Sequence, residues 1–225
     1  MALINESSNR TFVKIVNGKF AQTVTKDTEG AKHRVTKQGK DVWELYFDTL
    51  CGNFSDVRLD EPPEKFPQIG KQWAFVLEDG DDIYELKLPQ RSIPAYGLLT
   101  RLMNVNYDFP VKIKVYRITG DDDVTRDYCV IHQEGEKIEP FFTKEVPNGL
   151  PVLKQIVVNG EKAWDHTNRL KFFKKVVDEK ILPKIRNANP IAETKAVKPV
   201  EVEEEVPPPT IEDVPDYDEK DDLPF

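Results

Sequence analysis

The sequence predicts a mainly β fold: a small five-stranded barrel with a helix in it, additions at both ends and an acidic tail. Three observations predict it. Short apolar stretches with two-residue alternation recur between turn-forming residues. One helical segment interrupts them and another follows. Charge is divided unevenly along the 225 residues.

The elements follow in order. Residues 12–16 and Lys19-Phe20 flank Asn17-Gly18, and Asn-Gly supplies the positive φ angles of a type I′ turn, so an N-terminal hairpin is expected. In 41–50, Trp43, Leu45 and Phe47 alternate with Glu44, Tyr46 and Asp48. The apolar set is expected in the core and the polar set in solvent. Strands are predicted at 72–77 and 83–88, joined by the acidic turn 78–82, and again at 111–118, 128–131, 138–143 and 152–158. Ser92 as N-cap, Pro94 in the first turn and the apolar face Tyr96, Leu99, Leu102, Met103 predict a helix over about 92–105. Leu170, Phe173, Val177 and Ile181 predict a second over about 165–182, stopped by Pro183. Three strands, a helix and two strands is the order of an OB-type barrel, with the helix between strands three and four. The strands 41–50, 72–77, 83–88, 111–118 and 128–131 fill that order. The N-terminal hairpin, the segment around 54–59 and the C-terminal helix are then additions.

Residues 191–225 contain three lysines and twelve acidic residues, a net charge of −9. The remaining 29 basic and 28 acidic residues leave the body near neutrality, at +1. The tail runs through Val-Glu-Val-Glu-Glu-Glu-Val into Pro207-Pro208-Pro209. Its few large apolar groups predict disorder, and the prolines favour an extended chain. The expected organisation is one domain over 1–190 and a disordered, proline-rich tail over 191–225.

Several classes are set aside. No apolar run approaches the ~20 residues of a membrane helix. The N-terminus lacks the basic and apolar regions of a signal peptide, so a cytoplasmic location is expected. Cys51 and Cys129 read as two reduced thiols. No phosphate-binding glycine motif occurs. His33, His132 and His166 lack metal-ligand spacing, and Cys129 and His132 would face opposite sides of a strand. The reading is a non-enzyme without cofactor or metal.

The chain ends Asp221-Asp222-Leu223-Pro224-Phe225. This resembles the C-terminal tip of bacterial single-stranded DNA-binding proteins, in which aspartates precede an aliphatic residue, Pro and a final Phe. The resemblance covers the tail and the layout of barrel plus tail. It implies that Phe225 anchors in an apolar pocket of replication or recombination proteins. Leu223 and Pro224 would shape the approach, and Asp221 and Asp222 would meet basic residues of the partner. A terminal Phe presents ring and carboxylate together, which suits an anchor steered by charge. A divergent body with a host-type tip implies a phage protein in its host's cytoplasm. The competing expectation is an adaptor or decoy that holds host replication proteins without binding DNA.

Binding single strands without regard to sequence needs cations along a groove and rings for stacking. Lys112, Lys114 and Tyr116 share the strand face opposite Val111, Ile113 and Val115 and form the first candidate. The basic N-terminal stretch, where Lys14, Arg34 and Lys37 interleave with Phe12 and Phe20, is the second. Tyr46 is expected to stack, and Lys71 with Trp73 completes the set. Monomer and homodimer both remain open.

Overall fold

The computed structural model describes residues 10–36, 39–158 and 161–189. Strands β1 (Arg10–Val16) and β2 (Lys19–Val24) form the expected hairpin, with positive φ at Asn17 and Gly18. Next come β3 (Lys32–Val35), β4 (Asp41–Phe47) and the long β5 (Thr49–Asp60), then β6 (Gln72–Asp79) and β7 (Asp82–Pro89). Helix α1 (Ile93–Leu99) is capped by Ser92, whose hydroxyl accepts from Ala95 N. The Thr100 hydroxyl donates back to Tyr96 O at 2.9 Å where α1 ends, and a 3-10 turn at Leu102–Asn104 follows in place of a longer helix. Strands β8 (Val111–Thr119), β9 (Thr125–Gln133) and β10 (Glu136–Lys137) come next. A separate hairpin of β11 (Lys154–Val158) and β12 (Glu161–Asp165) then leads into the C-terminal helices.

Ten strands form one mixed sheet in the order β10-β9-β8-β5-β6-β7-β1-β2-β4-β3. The expected five-stranded barrel is not formed, because the sheet does not close and β7 and β9 share no ladder. Strand β7 pairs instead with β1, in parallel, from Arg10↔Ile83 to Val13↔Leu86. The cause is apolar burial. Val13 and Phe20 are buried in the core and Ile15 packs against it, so the N-terminal hairpin joins the sheet instead of hanging from it. Its turn reaches β8, where Arg117 Nη1 donates to Asn17 Oδ1 at 3.1 Å.

Strand β5, most of which the sequence reading placed among the additions, joins β8 to β6 in the sheet. Its first residues pair with β8, from Thr49↔Lys114 to Gly52↔Val111, and the rest pair with β6. Gly52 stands at the handover with φ 147°, and a Cβ there would lie 2.7 Å from Glu78 O. Helix α1 packs on β9 closely enough that a Cβ at Gly97 would lie 2.5 Å from Cys129 O. Phe54, Phe75, Leu77, Tyr96 and Ile131 fill the core between them.

Three further expectations are corrected. Residues 138–143 form no strand, because Phe142 is buried edge-on against Phe172 and Phe173; packing, not a ladder, explains that apolar run. Pro183 does not end the C-terminal helix. Helix α2 (Thr167–Val176) passes through a π turn at Val177–Ile181 into α3 (Leu182–Ala188), with Pro183 in the first turn of α3. The wider turn accommodates a residue that cannot donate a helical hydrogen bond. In β4 the polar side is the more deeply buried: Glu44 is 0% exposed and Phe47 is exposed. The tail at 191–225 lies outside the described residues.

Candidate nucleic-acid interface

Alternation along β8 sends Val111 and Ile113 into the core and turns Lys112, Lys114 and Tyr116 to the outer face. The register of β9 extends that face, with Lys112↔His132, Lys114↔Val130 and Tyr116↔Tyr128. Strand β5 adds Cys51 beside Lys112 and Thr49 beside Lys114, and β10 sets Lys137 beside His132. The result is a row, Lys137-His132-Lys112, with a lysine on each side of the imidazole, two rows from a tyrosine pair. Tyr116 is 41% exposed, and its hydroxyl lies 3.2 Å from His132 Nε2. A groove of about 570 Å³ opens at this end, lined by Cys51, Asn53, Lys112, Lys114 and His132, with Asp79 and Glu134 also at its walls.

Among the described residues, neither Lys112 nor Lys114 has a carboxylate partner. Burial holds the imidazole of His132 below its ordinary range, and the charges of Lys114, Lys137, Arg101 and Lys112 add to this. His132, Tyr128 and Lys137 were missed in the sequence; the signal was the alternation Tyr128-x-Val130-x-His132, once paired against β8.

The other predicted contacts are placed elsewhere. Lys14, Arg34 and Tyr46 do come together, but around the buried carboxylate of Glu44. Arg34 donates to both its oxygens at 3.0 and 2.9 Å, Lys14 lies at 2.9 Å and the Tyr46 hydroxyl donates at 2.5 Å. Burial alone would raise the pKa of Glu44, yet these donors outweigh it and hold the group at about 2. Burial and the bond to Glu44 push Tyr46 up to about 12. Lys71 pairs with Glu61 at 2.5 Å, apart from both clusters. Trp73 is 0% exposed, so it is core and not a contact residue: it sits in the central strand pair β6–β7, where the apolar face points inward. Lys37 and the tip residues Asp221, Asp222, Leu223, Pro224 and Phe225 lie outside the described residues.

A second buried carboxylate, Glu85, organises the same face nearer β1. Arg58 donates to it at 2.8 Å while also holding Asp56 and Asp60; Lys87 and Arg10 each lie 3.2 Å away. Cys129 is buried in the core while His132 faces outward, so the two do not converge. Among the described residues, no three His, Cys, Asp or Glu side chains come together to hold a metal, and no helix is long and apolar enough to cross a membrane. Comparison with protein-family models, with curated proteins and with solved structures returns no match to the chain.

Proposed function

We propose that the chain binds single-stranded DNA without regard to sequence, coating strands exposed during replication, recombination and repair, and recruits partner proteins through its C-terminal tip. The observation that carries this reading is the lysine pair on β8, neither of which has an ion-pair partner among the described residues, beside two tyrosines. Phosphates supply the missing anions, and the rings offer surfaces on which any base can stack. The run β9-β8-β5-β6-β7, with α1 between β7 and β8, reads as an OB-type order opened at one seam and extended by the N-terminal strands. The tip Asp221-Asp222-Leu223-Pro224-Phe225 supports recruitment through its resemblance to the bacterial tip. A divergent body joined to that tip fits a phage protein working in the cytoplasm of its host.

The test is titration with a poly-dT oligonucleotide across a salt series, followed by tyrosine and tryptophan fluorescence. Saturable quenching that weakens steeply as salt rises is expected. No quenching and no gel shift, with capture of replication proteins retained, would instead identify an adaptor.

A further inference from the structure

We infer that Phe12 is a stacking surface for a nucleobase, forming a second contact for the same strand on the sheet's outer face; the inference rests on the single-strand reading above. Phe12 stands in the middle of β1, yet its ring is 55% exposed. The registers place Phe12, Glu85, Val76 and Asp56 in one row across β1, β7, β6 and β5. Through β5 that face continues to Cys51 and Lys112. Phe12 therefore lies four strands from Lys112, about 19 Å across the sheet at ~4.8 Å per strand, and its row meets β5 at Asp56, five residues from Cys51, about 16 Å along the strand at ~3.3 Å per residue. A chain crossing the strands obliquely meets both.

The surroundings select a nucleic acid over a protein surface. Lys87 Nζ lies 5.8 Å from the centre of the Phe12 ring. Arg10, Lys87 and Arg58 all converge on Glu85, while Lys14, two residues along β1, reaches Glu44. The exposed apolar side chains Val35 and Phe47 alternate onto the opposite face of their strands from Arg34 and Tyr46, so Phe12 is bordered by charge and not by an apolar patch. A protein-docking hydrophobe is more often set among others of its kind. The buried carboxylates keep this region near neutrality, so stacking and not charge supplies the binding here. That difference separates Phe12 from Lys112 and Lys114 experimentally.

The experiment uses the full chain and an oligo-dT in which single thymines are replaced by 5-iodouracil. Ultraviolet irradiation is expected to cross-link the base to the peptide that carries Phe12. F12A is expected to weaken oligo-dT binding roughly fivefold or more at every salt concentration, leaving the salt slope unchanged. F12W is expected to restore binding, which a merely structural effect of F12A would not predict; unchanged melting of F12A controls for folding. Wild-type affinity in F12A, or equal loss in F12W, overturns the assignment, as does capture of a protein partner that alone depends on Phe12. If the wild-type chain fails to bind oligo-dT at all, the single-strand reading itself falls; if the wild-type chain binds and F12A binds equally well, that reading stands and this inference does not.

Discussion

Lys112 of β8 stands directly across the ladder from His132 of β9, with Cys51 of β5 on its other side. Two lysines on one strand thus become a field spanning several strands. Replacing both, in K112A/K114A, is expected to lower oligo-dT affinity and to reduce the slope of log K against log salt by about 1.4, at ~0.7 per phosphate contact on single strands. Binding measured between low and moderate salt checks it, and an unchanged slope would remove these residues from the interface.

The same geometry predicts a pH dependence. In the free chain, burial and the neighbouring cations hold His132 below its ordinary value. Phosphate oxygens arriving beside it favour the protonated ring, so binding takes up a proton. Affinity is expected to grow as pH falls from about 7 through the depressed pKa of His132, and to level off below it. H132Q should bind with a flatter pH profile.

Glu44 predicts a stability effect of the opposite sense. Its folded pKa of about 2 lies below the ordinary 4.5, so its contribution is fully present above about pH 4.5 and fades as pH falls toward 2. The linkage amounts to about 3 kcal/mol. E44Q is expected to lower stability at neutral pH by a similar amount, because Arg34 and Lys14 lose their anion. Urea denaturation at pH 7 and pH 3 should show the gap between wild type and E44Q narrowing in acid.

Deleting residues 216–225 is expected to abolish capture of replication proteins while leaving oligo-dT affinity equal or higher, the outcome expected of an acidic segment that competes with phosphate for the lysine row. Pull-down and titration of the same truncated chain check both halves; weaker DNA binding would argue against competition.

How much of this was legible in the sequence depends on the range of the contact involved. The Asn17-Gly18 turn and the Ser92 cap are local chemistry and could be read directly. So could the outward set Lys112, Lys114 and Tyr116, because alternation beside buried Val111 and Ile113 is a local signal. The pairing of β1 with β7 joins residues some seventy positions apart, and no local pattern encodes it. Glu44 misled for a related reason. A carboxylate in alternation with Trp43 and Leu45 reads as solvent-facing until Arg34 and Lys14 are brought to it from other strands. Lys14, Arg34 and Tyr46 were read as separate candidate contacts, and the fold brings them together around a carboxylate of this chain.

The handover at Gly52 is itself a test of how the sheet is built. G52A combines a φ of 147° with a contact 2.7 Å from Glu78 O, and is expected to destabilise the chain by about 2 kcal/mol or more. A thermal melt measures it directly, and a melt unchanged from wild type would mean that the strand can bend without glycine.

Because β5 is hydrogen-bonded to β8 along one stretch and to β6 along the next, no plane between strands divides the lysine-bearing half from the half that carries Phe12. The two regions should lose their amide protection together in hydrogen exchange, as one cooperative unit. A strand of DNA lying over either half would then slow exchange in the other, and tension on bound DNA would be shared by both.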